Sequence, residues 1–149
     1  IPDAFGQIEK TPQLFKKFGF DGIFAWRGFD YENINDSIFK WKAPNGDTLL
    51  TVHFPLGYGY YRYLPLDAKK AYEDICDTID KTKDRFKDGQ VLFMGGSDYA
   101  VPKNHIPQAI ESIHQKLHDE GYDIEMSNPE KYMHEVKKSL QENQREVQI

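Results

Sequence analysis

The sequence predicts an α/β fold with parallel strands, because short apolar segments alternate with segments of helical periodicity along its 149 residues. A β-hairpin, with Asn45 and Gly46 at its turn, is inserted into this alternation. Four parallel strands are too few to close a barrel. We therefore expect part of a β/α barrel, with helices outside, from a larger catalytic domain.

Each predicted element has a local signal. Thr11 and Pro12 begin a short helix that Gly19 ends, and Asp67 caps a long helix that starts at Ala68. Residues 127–130 have the pattern of a capping box that opens the last helix. The predicted helices cover about residues 11–18, 68–86, 106–118 and 129–140, the single strands residues 22–26, 91–94 and 122–126, and the hairpin strands residues 37–42 and 48–54.

Composition excludes several classes of protein. Hydrophobic residues make up 39% of the chain and aromatic residues 14%, which indicates a folded domain. The net charge of −5, with both signs interspersed, argues against a nucleic-acid partner. No apolar run approaches the roughly 20 residues that span a bilayer, so we expect no membrane partner. The single cysteine, Cys76, excludes an internal disulfide framework.

Polar side chains follow three of the predicted strands. Asp3 stands at the end of one strand, Arg27 follows the strand over residues 22–26, and Asp98 with Tyr99 follows residues 91–94. The carboxyl ends of parallel strands meet at one edge, so these side chains are expected to converge. A carboxylate held by an arginine can bind a divalent metal or attack an anomeric carbon. The alternative is that Arg27 and Asp98 form ordinary salt bridges at that edge.

Three other features of the sequence are less specific for a function. The tyrosine-rich loop over residues 58–63 is either a sugar-stacking surface or a loop packed by its own rings. His114 and His118 have a helical spacing that can hold zinc, but the surrounding charges favour a solvated helix face. The Gly95-Gly96 pair matches no phosphate-binding loop.

Four motifs together resemble the catalytic domain of glycoside hydrolase family 38, the α-mannosidases, and most closely its bacterial branch. The motifs are DAFGQ at residues 3–7, PQL at 12–14, FGFD at 18–21 and WRG at 26–28. The resemblance continues through residues 39–47 and 95–98. It implies a seven-stranded β/α barrel, a zinc ion, an α-mannoside substrate, and a retaining mechanism that passes through a covalent glycosyl-enzyme.

The resemblance also implies roles for individual residues. Asp3 would be both the nucleophile and a zinc ligand, and Arg27 would orient it. Phe5 would stack on the mannose ring, and Asp98 would be a supporting acid near the site. Tyr99 stands where many bacterial members carry histidine, and it would contact substrate.

Several parts of the family's site are not found in this sequence. The His-x-Asp zinc pair, a further zinc histidine and the general acid/base are expected outside it, so residues 1–149 are interpreted as an internal fragment of the catalytic domain, incomplete at both ends. We expect the isolated fragment to be inactive and to bind zinc poorly, since catalytic zinc takes about three protein ligands. A cytoplasmic location is expected, and a homo-oligomeric parent is left open. Two alternatives are a deacetylase-like metal hydrolase and a non-catalytic carbohydrate-binding module.

Overall fold

The centre of the fold is a mixed sheet of three strands. The computed structural model describes residues 1–29 and 34–142. The strands are β1 (Gly22–Ala25), β2 (Ile38–Lys42) and β3 (Thr48–His53), in the order β1-β3-β2. β1 lies parallel to β3, with Ala25 opposite His53, whereas β2 and β3 form the predicted antiparallel hairpin. The carboxyl ends of β1 and β3 therefore lie at the same edge of the sheet.

Four helices accompany the sheet: α1 (Thr11–Lys17), α2 (Ala68–Thr82), α3 (Ile106–Asp119) and α4 (Pro129–Glu142). The side chain of Asp67 accepts a hydrogen bond from the Lys70 amide at 2.9 Å and so caps α2, as the sequence predicts. Asn128 caps α4 in the same way, through the Lys131 amide at 2.9 Å. α2 ends earlier than predicted and continues into a 3₁₀ turn.

The predicted barrel architecture is wrong for this structure. The sheet has three strands of mixed direction, not a set of parallel strands that form part of a seven-stranded barrel, and the segments at residues 91–94 and 122–126 are not strands. Their apolar side chains account for the error. Val91, Leu92 and Met94 pack against one hydrophobic cluster and Phe93 against another, so the run is half-buried by side-chain packing without being paired into the sheet. Both segments line a cavity of about 1330 Å³ beside β1 and α2.

Both faces of the sheet are covered. On one face, Val52 and Phe54 pack with Tyr132 and Val136 of α4. On the other, Ile23, Ala25 and Leu49 pack with residues that include Phe15 of α1. A separate cluster joins α2 to α3. None of the helices in the described part of the chain is long and apolar enough to cross a membrane.

Candidate active site

The first residues of the chain lie along the free edge of β1. The Ile1 ammonium donates to the Phe24 carbonyl at 3.0 Å, and the Arg27 amide donates to the Pro2 carbonyl at 3.2 Å. Asp3 is thereby placed beside Arg27, where the Arg27 Nε donates to Asp3 Oδ1. Both side chains are about two-fifths exposed, so the ion pair is accessible from solvent.

The Arg27 guanidinium contacts two aromatic rings. Its Cζ is 4.0 Å from the centroid of the Trp26 ring and 4.9 Å from that of Phe5. Such contacts hold a planar guanidinium in one orientation. The buried imidazole of His53 fixes the Trp26 backbone, because its Nε2 donates to the Trp26 carbonyl at 3.0 Å. Phe5 is 81% exposed and presents its ring to solvent next to the ion pair.

Two glycines allow the loops of the site to approach closely. Gly57 has φ of +83°, and a Cβ there would lie 3.0 Å from the Trp26 ring. Gly28 has φ of +84°, and a Cβ there would lie 3.0 Å from the Gln7 side chain. Both contacts require a left-handed backbone conformation and the absence of a Cβ, and glycine provides both. The loop after β3 therefore packs on Trp26, and the N-terminal segment packs on Gly28.

Tyr58 connects the second predicted acid to this arrangement. Its ring packs edge-on against Trp26, with centroids 5.4 Å apart, and its hydroxyl donates to Asp98 Oδ2 at 2.5 Å. The hydrogen bond to Asp98, partial burial and the negative charge of Asp3 raise the pKa of Tyr58 to about 12. Tyr58 therefore stays a hydrogen-bond donor at neutral pH, within the field of both carboxylates.

The structure brings together most of the residues that the sequence singles out. Asp3, Arg27 and Phe5 are in direct contact, and Asp98 reaches them through Tyr58. Tyr99 is different: it is fully exposed, with φ of +58°. The linking role of Tyr58 has no specific signal in the sequence beyond its place between two glycines in the tyrosine-rich loop.

The described residues do not make up a zinc site. Among them, no group of three His, Cys, Asp or Glu side chains is placed to hold a metal ion. One oxygen of Asp3, the predicted ligand, accepts from Arg27. His114 and His118 are exposed on α3, as expected for a solvated face. A catalytic zinc ion takes about three protein ligands, so Asp3 could supply at most part of the set.

The chain belongs to the family described as glycosyl hydrolases family 38, N-terminal domain, whose sequence model matches residues 1–148. A crystal structure of an alpha-mannosidase from Enterococcus faecalis has the same fold, with a TM-score of 0.83 and 19% sequence identity. The match covers 100% of this chain and 17% of that one. No curated protein sequence matches significantly. The resemblance found in the motifs is confirmed, and the family match disfavours the deacetylase-like alternative.

Proposed function

We propose that the full-length protein is a retaining α-mannosidase, in which Asp3 is the nucleophile and Arg27 positions it. The observation that carries the proposal is the solvent-accessible ion pair of Asp3 and Arg27, beside the exposed ring of Phe5. Family membership supports a glycoside hydrolase. The α-mannoside substrate is suggested by the mannosidase with the same fold.

The geometry suits nucleophilic attack by a carboxylate. Arg27 holds Oδ1 of Asp3 and leaves Oδ2 as the attacking oxygen. Attack on the anomeric carbon expels the leaving group and forms a covalent glycosyl-enzyme, which water then hydrolyses with overall retention. The ring of Phe5 offers an apolar face on which the C–H face of a pyranose can stack.

A retaining glycosidase also needs a second carboxyl, about 5 Å from the first, to protonate the leaving oxygen and later to activate water. Asp98 is our candidate for this role. Its Oδ2 accepts from the Tyr58 hydroxyl, and the Tyr58 ring packs on Trp26, which also contacts Arg27, so Asp98 is linked to the Asp3–Arg27 pair by side chains in contact. The family resemblance by itself implies an acid/base outside these residues and a supporting role for Asp98, and the Asp98→Ala experiment below distinguishes the two assignments.

Zinc is part of the proposal as a group that Asp3 helps to hold, with the remaining ligands supplied from outside the 149 residues. When bound at such a site, zinc would grip sugar hydroxyls and favour ring distortion. The isolated 149-residue segment is proposed to be inactive and to bind zinc poorly. Chelator-sensitive release of nitrophenol from an α-mannoside by the purified segment would refute this.

The proposal is tested by nitrophenol release from 4-nitrophenyl α-mannoside by the full-length protein, before and after chelation and after zinc add-back. Asp3→Ala should abolish turnover, and azide should restore it with formation of the inverted β-mannosyl azide. Asp21→Ala is the matched control. Asp21 is also an exposed, ion-paired aspartate, 3.5 Å from Lys16 and 3.8 Å from Lys137, but it precedes β1 at the opposite end of the strand. Full activity of Asp3→Ala without azide would contradict the assignment.

Asp98 is tested by varying the leaving group. If Asp98 is the acid/base, Asp98→Ala should lose far more activity on a methyl α-mannoside than on a dinitrophenyl α-mannoside, because the activated phenol leaves without protonation. Azide should then give the retained α-mannosyl azide. Equal losses on both substrates, without azide rescue, would return Asp98 to a supporting role.

The carbohydrate-binding alternative depends on the exposed rings of Tyr60 and Tyr63, which are 44% and 65% exposed. A binding module would keep its affinity for mannosides after Asp3→Asn and lose it after Tyr→Ala in this loop. A mannosidase would instead lose turnover in Asp3→Asn while it still bound substrate.

A further inference from the structure

The loop after β3 is held at two points, and two side chains between them project outward. Tyr61 and Leu64 are buried, whereas Arg62 and Tyr63 are exposed. The Tyr61 hydroxyl is anchored by Thr78 Oγ1 at 2.5 Å and by the Asp74 carbonyl at 2.8 Å. Because Tyr61 and Leu64 are held on either side, the fold fixes the direction in which Arg62 and Tyr63 project.

Two cations lie on the exposed ring of Tyr63. The Cζ of Arg62 is 4.8 Å from the ring centroid, and the Nζ of Lys103 is 5.9 Å from it. The segment that carries Lys103 is fixed nearby, because the His105 Nε2 donates to the Leu64 carbonyl at 2.9 Å. In the part of the chain that the structure describes, neither cation forms an ion pair with an acidic side chain. In a chain of net charge −5, two such cations on one ring form a local positive site.

This positive site adjoins Asp98. The Arg62 Nη1 donates to Ser97 Oγ at 3.5 Å, and Ser97 is the residue before Asp98. The same loop approaches Ser97 at Gly59, where an added Cβ would lie 3.1 Å from Ser97 Oγ. Arg62 thus contacts the residue that precedes the carboxyl assigned to the leaving group, and that carboxyl accepts from Tyr58 of the same loop.

We propose that Arg62, Lys103 and Tyr63 form a leaving-group site for α-mannosides whose aglycone carries an anion, either a carboxylate or a phosphate. The inference rests on the proposed function, since it concerns the substrate of the same site. The Arg62 guanidinium and the Lys103 ammonium bind the anion, and the Tyr63 ring supplies an apolar face for the rest of the aglycone.

The experiment compares kcat/KM of the full-length protein for three aryl α-mannosides: the 4-carboxyphenyl, the 4-phosphonophenyl and the neutral 4-carboxamidophenyl compound. The expected result is a preference for an anionic compound that weakens as salt is added. The carboxylate and phosphonate arms show which anion the site prefers. By the usual strength of exposed ion pairs, Arg62→Gln and Lys103→Gln should each lower the preference about 2- to 5-fold, and the double variant roughly tenfold.

Lys116→Gln is the matched control. The Nζ of Lys116 lies 3.3 Å from the centroid of the Tyr72 ring, the same kind of contact, but Lys116 belongs to the last turn of α3 and not to the loop. It should leave the preference unchanged. Equal kcat/KM for anionic and neutral compounds, or a preference that survives the double variant, would overturn the inference while leaving the mannosidase proposal intact. Failure to hydrolyse any of the three compounds would refute both.

Discussion

Replacing Gly57 with alanine tests whether the position of the Trp26 ring matters for the site. Gly57 has φ of +83°, and an added Cβ would lie 3.0 Å and 3.1 Å from two atoms of that ring. The left-handed backbone costs an L-residue about 1–2 kcal/mol, part of which is offset by the stiffer unfolded chain. Moving the ring by a few tenths of an ångström adds an overpacking cost of about 1–3 kcal/mol. We expect Gly57→Ala to destabilise the protein by about 2–4 kcal/mol in all.

Gly19 provides the control for the backbone contribution. It has φ of +80°, and an added Cβ would meet nothing within 4 Å. The thermal unfolding midpoint of the full-length protein should therefore fall slightly in Gly19→Ala and further in Gly57→Ala. Because the Trp26 ring supports Arg27, kcat/KM on 4-nitrophenyl α-mannoside should fall about tenfold in Gly57→Ala and stay constant in Gly19→Ala. Equal midpoints and equal activities for the two variants would refute the reasoning.

Three further substitutions test other parts of the site. Arg27→Lys keeps the charge but loses the Nε donor to Asp3, so kcat should fall about 10- to 100-fold. Arg85→Lys is its control: the Arg85 side chain donates to a backbone carbonyl, so this change should lower the unfolding midpoint without changing kcat. Burial lowers the pKa of His53, so its contribution to stability is complete above pH 6.5, the ordinary value, and is lost as pH falls toward the lowered pKa; unfolding midpoints measured against pH should show a flatter acid limb in His53→Gln. Tyr99→Gly relieves a left-handed conformation at φ of +58° and should stabilise the protein by up to about 1 kcal/mol, while KM rises if the exposed ring contacts substrate as the family resemblance implies.

Local patterns were sufficient to predict the helices and the hairpin. Capping by Asp67 and the turn at Asn45 and Gly46 depend on residues close in sequence, and both are present. Residues 91–94 show what such patterns omit. An apolar run indicates burial, but a strand also needs a neighbour with unpaired backbone groups, and that neighbour is remote in sequence. Here the side chains of the run pack against two clusters and are half-buried, and among the described backbone contacts only one of its carbonyls, that of Met94, accepts a bond, from the Tyr61 amide at 3.1 Å.

The contact between Asp3 and Arg27 was predicted correctly although the sheet was not, for a physical reason. The argument from strand ends needs the carboxyl ends of neighbouring segments to meet, and β1, β3 and the N-terminal residues satisfy it without a barrel. Asp3 and Arg27 are therefore in contact as expected. The link from Tyr58 to Asp98 joins residues 40 positions apart, and no local pattern encodes such a pair.

Trp26 gives this arrangement a property that neither carboxylate has alone. The Cζ of Arg27 lies 4.0 Å from the centroid of the Trp26 ring, and the Tyr58 ring packs edge-on against Trp26 with centroids 5.4 Å apart. Arg27 holds Asp3 and Tyr58 holds Asp98, so the partners of both carboxylates rest on a single indole. A retaining mechanism depends on the separation of its two carboxyls. In the retaining mechanism that we propose for Asp3 and Asp98, we therefore expect Trp26 to help hold the two carboxyls apart, since its backbone is fixed by the buried ring of His53.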